Sequence, residues 1–307
     1  MINEHLTEFA GRPVVRFQPK GPVPSVPDPS AVAWRVDADY FDEEDVFAER
    51  FAGFLRAVDP AAVTALIVGQ WGSAHEDGPP VDLLVEAAPR LPNLEALFLG
   101  EMVSEECEIS WIIQGDVTPL LRAWPGLATL QVRGGTGLVL EPVRHETLRT
   151  LGFESGGLSD DVVRAVAACD LPALTHLELW LGTGDYGATY HPDDLAPILA
   201  GDRLPALRHL GLRNAELADR VAATVAAAPV VKRLEVLDLS MGVLSDAGAQ
   251  ALLDGQPLTH LRRLVLAHHY LSEAMAARLV ETLPGVAVDV SDRQEEEDDY
   301  RYVAVGE

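Results

Sequence analysis

Residues able to do chemistry sit at matching places in a repeated phrase. His176, Glu178 and Trp180 lie in LPALTHLELW, residues 171–180, and His209 and Arg213 lie in LPALRHLGLR, residues 204–213. If the two phrases form neighbouring parallel strands, about 4.8 Å apart, His176 and His209 share one column, with Glu178 and Asp238 in the column beside it. Two imidazoles and a carboxylate at that separation could hold zinc, nickel or iron. Tryptophan and arginine on the same face offer a different chemistry, because these types dominate protein-binding hot spots.

Three stretches supply further candidates. GQWGSAHEDGPP, GEMVSEECEISWIIQGD and GTGDYGATYHPDD follow positions 68, 99 and 181 and are rich in glycine, acids and aromatics. Trp71, Trp111, Tyr186 and Tyr190 would supply adhesive area, and Glu101, Glu105, Glu106, Glu108 and Asp185 negative potential. Loops carried by a rigid scaffold commonly bear function. A partner with a basic or mixed surface is therefore expected to dock there.

The motifs of common catalytic machinery are missing. The chain has no GxSxG elbow, no P-loop spacing and no HExxH. GGTG at 134–137 does not open a helix, so it reads as a tight turn rather than a phosphate cradle. Cys107 and Cys169 are the only cysteines, which gives neither a disulfide framework nor a structural zinc site. With 23 Lys and Arg against 48 Asp and Glu, the formal net charge is −25. That field repels nucleic acid and anionic lipid, so both are excluded as expected partners. No apolar run approaches the roughly 18 residues of a spanning helix and no leader pattern opens the chain, so a cytoplasmic protein is expected.

The elements that position these residues follow from a recurring LxxLxL phrase. Its middle leucine falls at Leu66, Leu97, Leu130, Leu151, Leu177, Leu210, Leu237 and Leu264, with valines continuing it at Val286. Within each phrase the leucines point inward and the intervening residues outward. Each buried leucine contributes about 2 kcal/mol, and only when the next turn covers it. Helical patterns lie between most strands: 159–169, 192–200, 217–228, 245–253 and 272–283. The short interval after Leu130 contains RGGTGLVLEPVRHE and should return by an extended segment instead. The expected outward row runs Gln70, Glu101, Arg133, Glu154, then His176, Glu178 and Trp180, then His209 and Arg213, Asp238, Arg263 and His268.

The phrase, with Leu244, Gly248 and Leu252 four residues apart, resembles leucine-rich repeats of the ribonuclease-inhibitor subclass. The resemblance covers about residues 63–290. It implies an α/β leucine-rich-repeat solenoid with a parallel concave sheet and helices on the convex side. INEHLTEF at 2–9, VGQWG at 68–72, SEECEISWI at 104–112, ESGG at 154–157 and RYVAV at 301–305 also resemble a family of uncharacterised bacterial leucine-rich-repeat proteins. That likeness implies a role accessory to a small modification pathway and names no activity. The asparagine that usually follows the repeat is replaced by Trp71, Met102, Gly135, Gly156, Gly182, Ala215, Gly242 and His269, so no asparagine ladder is expected.

The expected layout is a cap and proline-rich segment at 1–30, the solenoid at 31–290, and an acidic linker with a capping strand at 291–307. A first, degenerate strand is expected at 31–36, then a helix over 42–58. YRYVAV at 300–305 is expected to close the last sheet edge. The function expected is non-catalytic binding of a protein or peptide through the concave sheet and the acidic, aromatic rim, with no cofactor. The alternative is a metal-binding enzyme or enzyme subunit built on His176 and His209.

Overall fold

The alternation of apolar and polar residues produces one sheet whose strands follow chain order. The computed structural model of the chain describes residues 2–18, 28–39, 46–298 and 300–307. The strands are β1 (Glu8–Phe9), β2 (Arg12–Arg16), β3 (Ala33–Ala38), β4 (Ala65–Trp71), β5 (Ala96–Leu99) and β6 (Thr129–Arg133), followed by β7 (Thr150–Glu154), β8 (His176–Gly182), β9 (His209–Ala215), β10 (Val236–Asp238), β11 (Arg263–Val265) and β12 (Ala287–Asp289). Neighbours in sequence are neighbours in the sheet. All pairs are parallel except β1 with β2, an antiparallel hairpin that opens the array.

The leucine register holds across the sheet. Leu66, Leu97, Leu130, Leu151, Leu177, Leu210, Leu237 and Leu264 pair in series. All are fully buried in one continuous core. The row extends beyond the repeat phrase, because Trp34 pairs with Leu66 and Val15 with Trp34. At the other end Leu264 pairs with Val288, not with Val286. Both valines point the same way on an alternating strand, so pattern alone could not choose between them.

Helices return the chain on the other side: α1 (Val46–Ala57), α2 (Val81–Ala87), α3 (Thr118–Ala123), α4 (Asp160–Ala168), α5 (Ala196–Ala200), α6 (Ala218–Ala226), α7 (Asp246–Asp254) and α8 (Glu273–Thr282). Ser159, Ser245 and Ser272 cap α4, α7 and α8 by accepting backbone N–H bonds. Between β6 and β7 there is no helix, and the extended return is tied by bridges from Thr136 to Ile113 and from Val139 to Asp116. This is an α/β leucine-rich-repeat solenoid: one strand and one return segment per turn, each turn burying the leucines of its neighbour.

The chain's two end segments behave differently from expectation. Residues 2–9 cross the inner face of the first strands, where Phe9 packs on Phe98 with ring centroids 5.7 Å apart. The YRYVAV segment is not a strand and does not cover the sheet edge, a place taken by β12. It runs back over the strand ends instead. Tyr302 O accepts from Tyr270 Oη, Ala304 N donates to Met241 O, and Val305 N donates to Asn214 Oδ1 at 3.0 Å. The expected helix start at 42–45, residues 19–27 of the proline-rich segment and residue 299 of the acidic run lie outside the described residues. No helix among the described residues is long and apolar enough to cross a membrane.

Candidate functional site

Left-handed residues mark strand exits in this sheet, Gly72, Gly100 and Gly182 among them where the three rim loops leave. Gly134, Asn214, Met241 and His268 all have positive φ at the fourth position after the register leucine. Asn214 stands there in place of a glycine because its side chain is used. Its Nδ2 donates to Ser155 O at 3.3 Å and to Val305 O, and its Oδ1 accepts from Val305 N. The asparagine ladder is absent, as expected, and this one asparagine, a residue earlier than the usual place, clasps the returning segment.

That segment closes part of the groove. Val305 packs with Ile109 and Trp180, and Ile2, Met241 and Ala304 surround them. Trp180 was expected to be exposed and is only 7% accessible. Trp71 is buried too, its Nε1 donating to Asp77 O at 3.0 Å, and Tyr190 lies in the core rather than on the rim. The physical reasons differ: segments remote in sequence cover Trp180 on the groove face, whereas Trp71 and Tyr190 turn into the leucine core itself.

The same covering converts expected surface charges into buried ion pairs. Glu101, 1% exposed, lies against the Arg35 guanidinium and accepts from Leu6 N at 3.1 Å. Arg35 Nε also donates to Asp37 Oδ2 at 2.6 Å, and His5 Nδ1 stands 3.3 Å from Glu101. Arg133 is buried, donating from Nε to Glu154 Oε2 at 2.7 Å and lying 5.3 Å over the Phe98 ring. Arg35, Asp37 and His5 were not among the sequence candidates. The polar pair inside AVAWRVDA was the available signal, since a strand buried on both faces would otherwise be apolar throughout.

Two cavities among the described residues adjoin the expected site residues. The first lies at the acidic rim, where Gln70, Ser104, Glu105, Glu106, Cys107, Glu108 and Trp111 help line a cavity of about 550 Å³. Trp111 is 59% exposed. The first two rim loops are neighbours, as expected: Ile113 N donates to Ala74 O at 2.8 Å and Gln70 Nε2 to Glu106 O at 3.3 Å. Burial beside Glu108 and Glu106 pushes the Cys107 thiol up to about 11, so it is not a thiolate nucleophile at neutral pH. Tyr186, on the third loop, donates to Glu307 Oε1 at 3.0 Å.

The second adjoins the middle of the groove. His176 pairs with His209 and Glu178 with Gly211 in the strand register. The two imidazoles stack with centroids 3.7 Å apart and planes inclined by 13°. Glu178 Oε1 accepts from Trp180 Nε1 at 2.7 Å and from Arg213 NH1 at 2.6 Å, while Oε2 lies 3.6 Å from His176 Nε2. Burial works against the Glu178 carboxylate, but His176, the Arg213 charge and the Trp180 N–H outweigh it and hold its pKa at about 2. Burial, reinforced by His176, lowers His209 to about 4. Burial raises Asp238, and Arg213 Nε, 3.5 Å away, offsets part of that. Beside these residues a cavity of about 490 Å³ is lined by His209, Arg213, Asp238, Ser240, Arg263 and His268 among others.

With this geometry in place, the chain resembles a Bacteroides fragilis protein of known crystal structure. The two are 33% identical, superpose with a TM-score of 0.78, and align over 88% of this chain and 76% of that one. The chain belongs to that protein's family. A chain of the TLR13–ssRNA13 complex also aligns, at 14% identity and a TM-score of 0.40, over 78% of this chain and 34% of that one, too weak a superposition to bear on function. No protein-family model matches the chain, and neither does any curated protein. The family tie and the consecutive parallel sheet agree on architecture.

Proposed function

We propose that the chain is a non-catalytic, cytoplasmic binding module of the ribonuclease-inhibitor-like class, which takes a protein or peptide with a basic surface at its rim. The observation carrying this reading is Trp111, an indole 59% exposed, sharing a cavity with Glu105, Glu106 and Glu108. Exposed aromatic area is costly to leave in water and is the kind of surface that a partner covers. An arginine or lysine laid on that ring gains a cation–π contact while the carboxylates offset its charge. The protein's net charge of −25 steers such a partner and disfavours nucleic acid. A place accessory to a modification pathway fits a protein that recognises rather than reacts.

The test compares the full chain with Trp111→Ala and with a Glu105→Lys, Glu106→Lys, Glu108→Lys variant, using an arginine-rich peptide at low and physiological salt. Removing the indole leaves the charge unchanged and should weaken binding by roughly fivefold, the equivalent of about 1 kcal/mol. Charge reversal should weaken it further and flatten the salt dependence. Equal affinity in all three proteins would refute the rim as the site.

A further inference from the structure

The centre of the groove is built around one carboxylate. Glu178 is flanked in the sheet by Gly152 on β7 and Gly211 on β9. A Cβ at position 211 would come within 3.1 Å of Glu178 Cγ, so the side chain fills space that a larger residue would take. Trp180 Nε1 and Arg213 NH1 both bond to Oε1, at 2.7 and 2.6 Å, and fix the carboxylate's direction. Oε2 is thereby turned toward the two imidazoles.

The imidazoles have bonding capacity to spare. His209 Nε2 is buried and has no hydrogen-bond partner. An orphaned buried polar atom costs about 1–3 kcal/mol, so a group that satisfies it is favoured. A nitrogen of each imidazole and an oxygen of Glu178 all lie within 4.8 Å of one another. Ligand atoms about 2.0–2.1 Å from a tetrahedral ion stand roughly 3.3 Å apart. His176 Nε2 and Glu178 Oε2, at 3.6 Å, are already near that separation.

We propose that His176, Glu178 and His209 form a binding site for one divalent transition-metal ion of the zinc class. Two histidines and a glutamate make a known ligand set for an ion that keeps a further position open. The adjoining cavity of about 490 Å³ leaves room there for water or an anionic group. Trp180 and Arg213 act as positioning residues, holding the oxygen of Glu178 that does not meet the ion, as outer partners of metal ligands do. Asp238, 3.5 Å from Arg213, offsets the arginine's charge toward the cation. Binding must break the face-to-face stack, because an imidazole nitrogen directs its lone pair within its own ring plane. One ring turns about its side-chain bonds so that both nitrogens and Oε2 converge on the ion.

The experiment uses the full chain, stripped with a chelator and dialysed, and titrates it with Zn2+ by calorimetry and Co2+ by visible absorption. The expected result is one ion per chain with the intense absorption of four-coordinate Co2+. His176→Ala and His209→Ala should each abolish it. Trp180→Phe, which removes one outer hydrogen bond, should weaken affinity by roughly tenfold. His268→Ala, in the same cavity but outside the ligand set, should bind as the native chain does. No binding by the native chain, undiminished binding by His209→Ala, or an equal loss in His268→Ala would overturn the proposal. Should a histidine variant not fold, paramagnetically shifted imidazole N–H resonances of the Co2+-loaded native chain decide: signals from two histidines support the site, and fewer overturn it. The metal ions alone are the probe, so the result stands apart from partner docking at the rim.

Discussion

Asn214→Ala tests the clasp that brings the 300–307 segment over the groove. Asn214 is fully buried and bonds to the Val305 N–H, the Val305 carbonyl and the Ser155 carbonyl. At about 1 kcal/mol for each bond, the substitution should cost about 3 kcal/mol of stability. Asn214 also has φ of 57°, where an alanine Cβ is disfavoured by about 1 kcal/mol more. Asn214→Gly removes the same bonds without that strain, so it should be the more stable variant by about 1 kcal/mol. Urea unfolding measures both differences. Amide hydrogen exchange localises them, because losing the two bonds to Val305, about 2 kcal/mol together, should lower protection at the Val305 amide by roughly 30-fold. Unchanged protection at Val305 in both variants would refute the clasp. Equal stability of the two would refute the backbone argument.

The remaining predictions concern charge, packing and pH. Glu101→Gln removes the most buried carboxylate from the Arg35 guanidinium, leaving Asp37 and the half-buried Glu106, 3.6 Å away, and should cost about 3 kcal/mol in chemical denaturation; a loss below about 1 kcal/mol would mean the pair is solvated. Gly182→Ala would drive a Cβ into Gly156 O at a φ of 69° and should cost about 3 kcal/mol, whereas Gly187→Ala, with φ of 96° and open space around it, should cost about 1 kcal/mol. Similar thermal midpoints for the two would show that the crowding at Gly182 relaxes freely. In the metal-free protein, His209, facing His176, Glu178, Arg213 and Arg263, resists protonation and titrates at about 4 rather than 6.5. The unfolded chain therefore binds this proton first, and stability that is complete above pH 6.5 falls as pH drops toward 4. Allowing for solvent screening, the loss is about 2 kcal/mol. His209→Gln should remove that part of the acid sensitivity, and an unchanged pH profile would show that His209 is not its source.

The repeat phrase by itself determined the solenoid. Leucines at fixed alternation can be buried only by a neighbouring copy of the same turn, so periodicity dictated strand order, register and the side carrying the helices. It also placed His176 over His209, because equivalent positions of adjacent parallel strands must stack. The glycine- and proline-rich stretch after Leu130 announced an extended return for the same local reason.

Tertiary structure decided which of the outward residues reach solvent. Outward in a strand means only away from the leucine core, and here residues 2–9 and the Val305 segment cover much of that second face. Glu101 and Trp180 became buried on that account, Trp71 turned into the leucine core, and Trp111 stayed exposed. These contacts join residues far apart in the chain, such as Asn214 with Val305 and Arg35 with Glu101, and no local period encodes them. The direction of Glu178 was decided in the same way. Sequence placed a carboxylate beside two imidazoles, but only the folded positions of Trp180 and Arg213 hold one of its oxygens and turn the other toward His176.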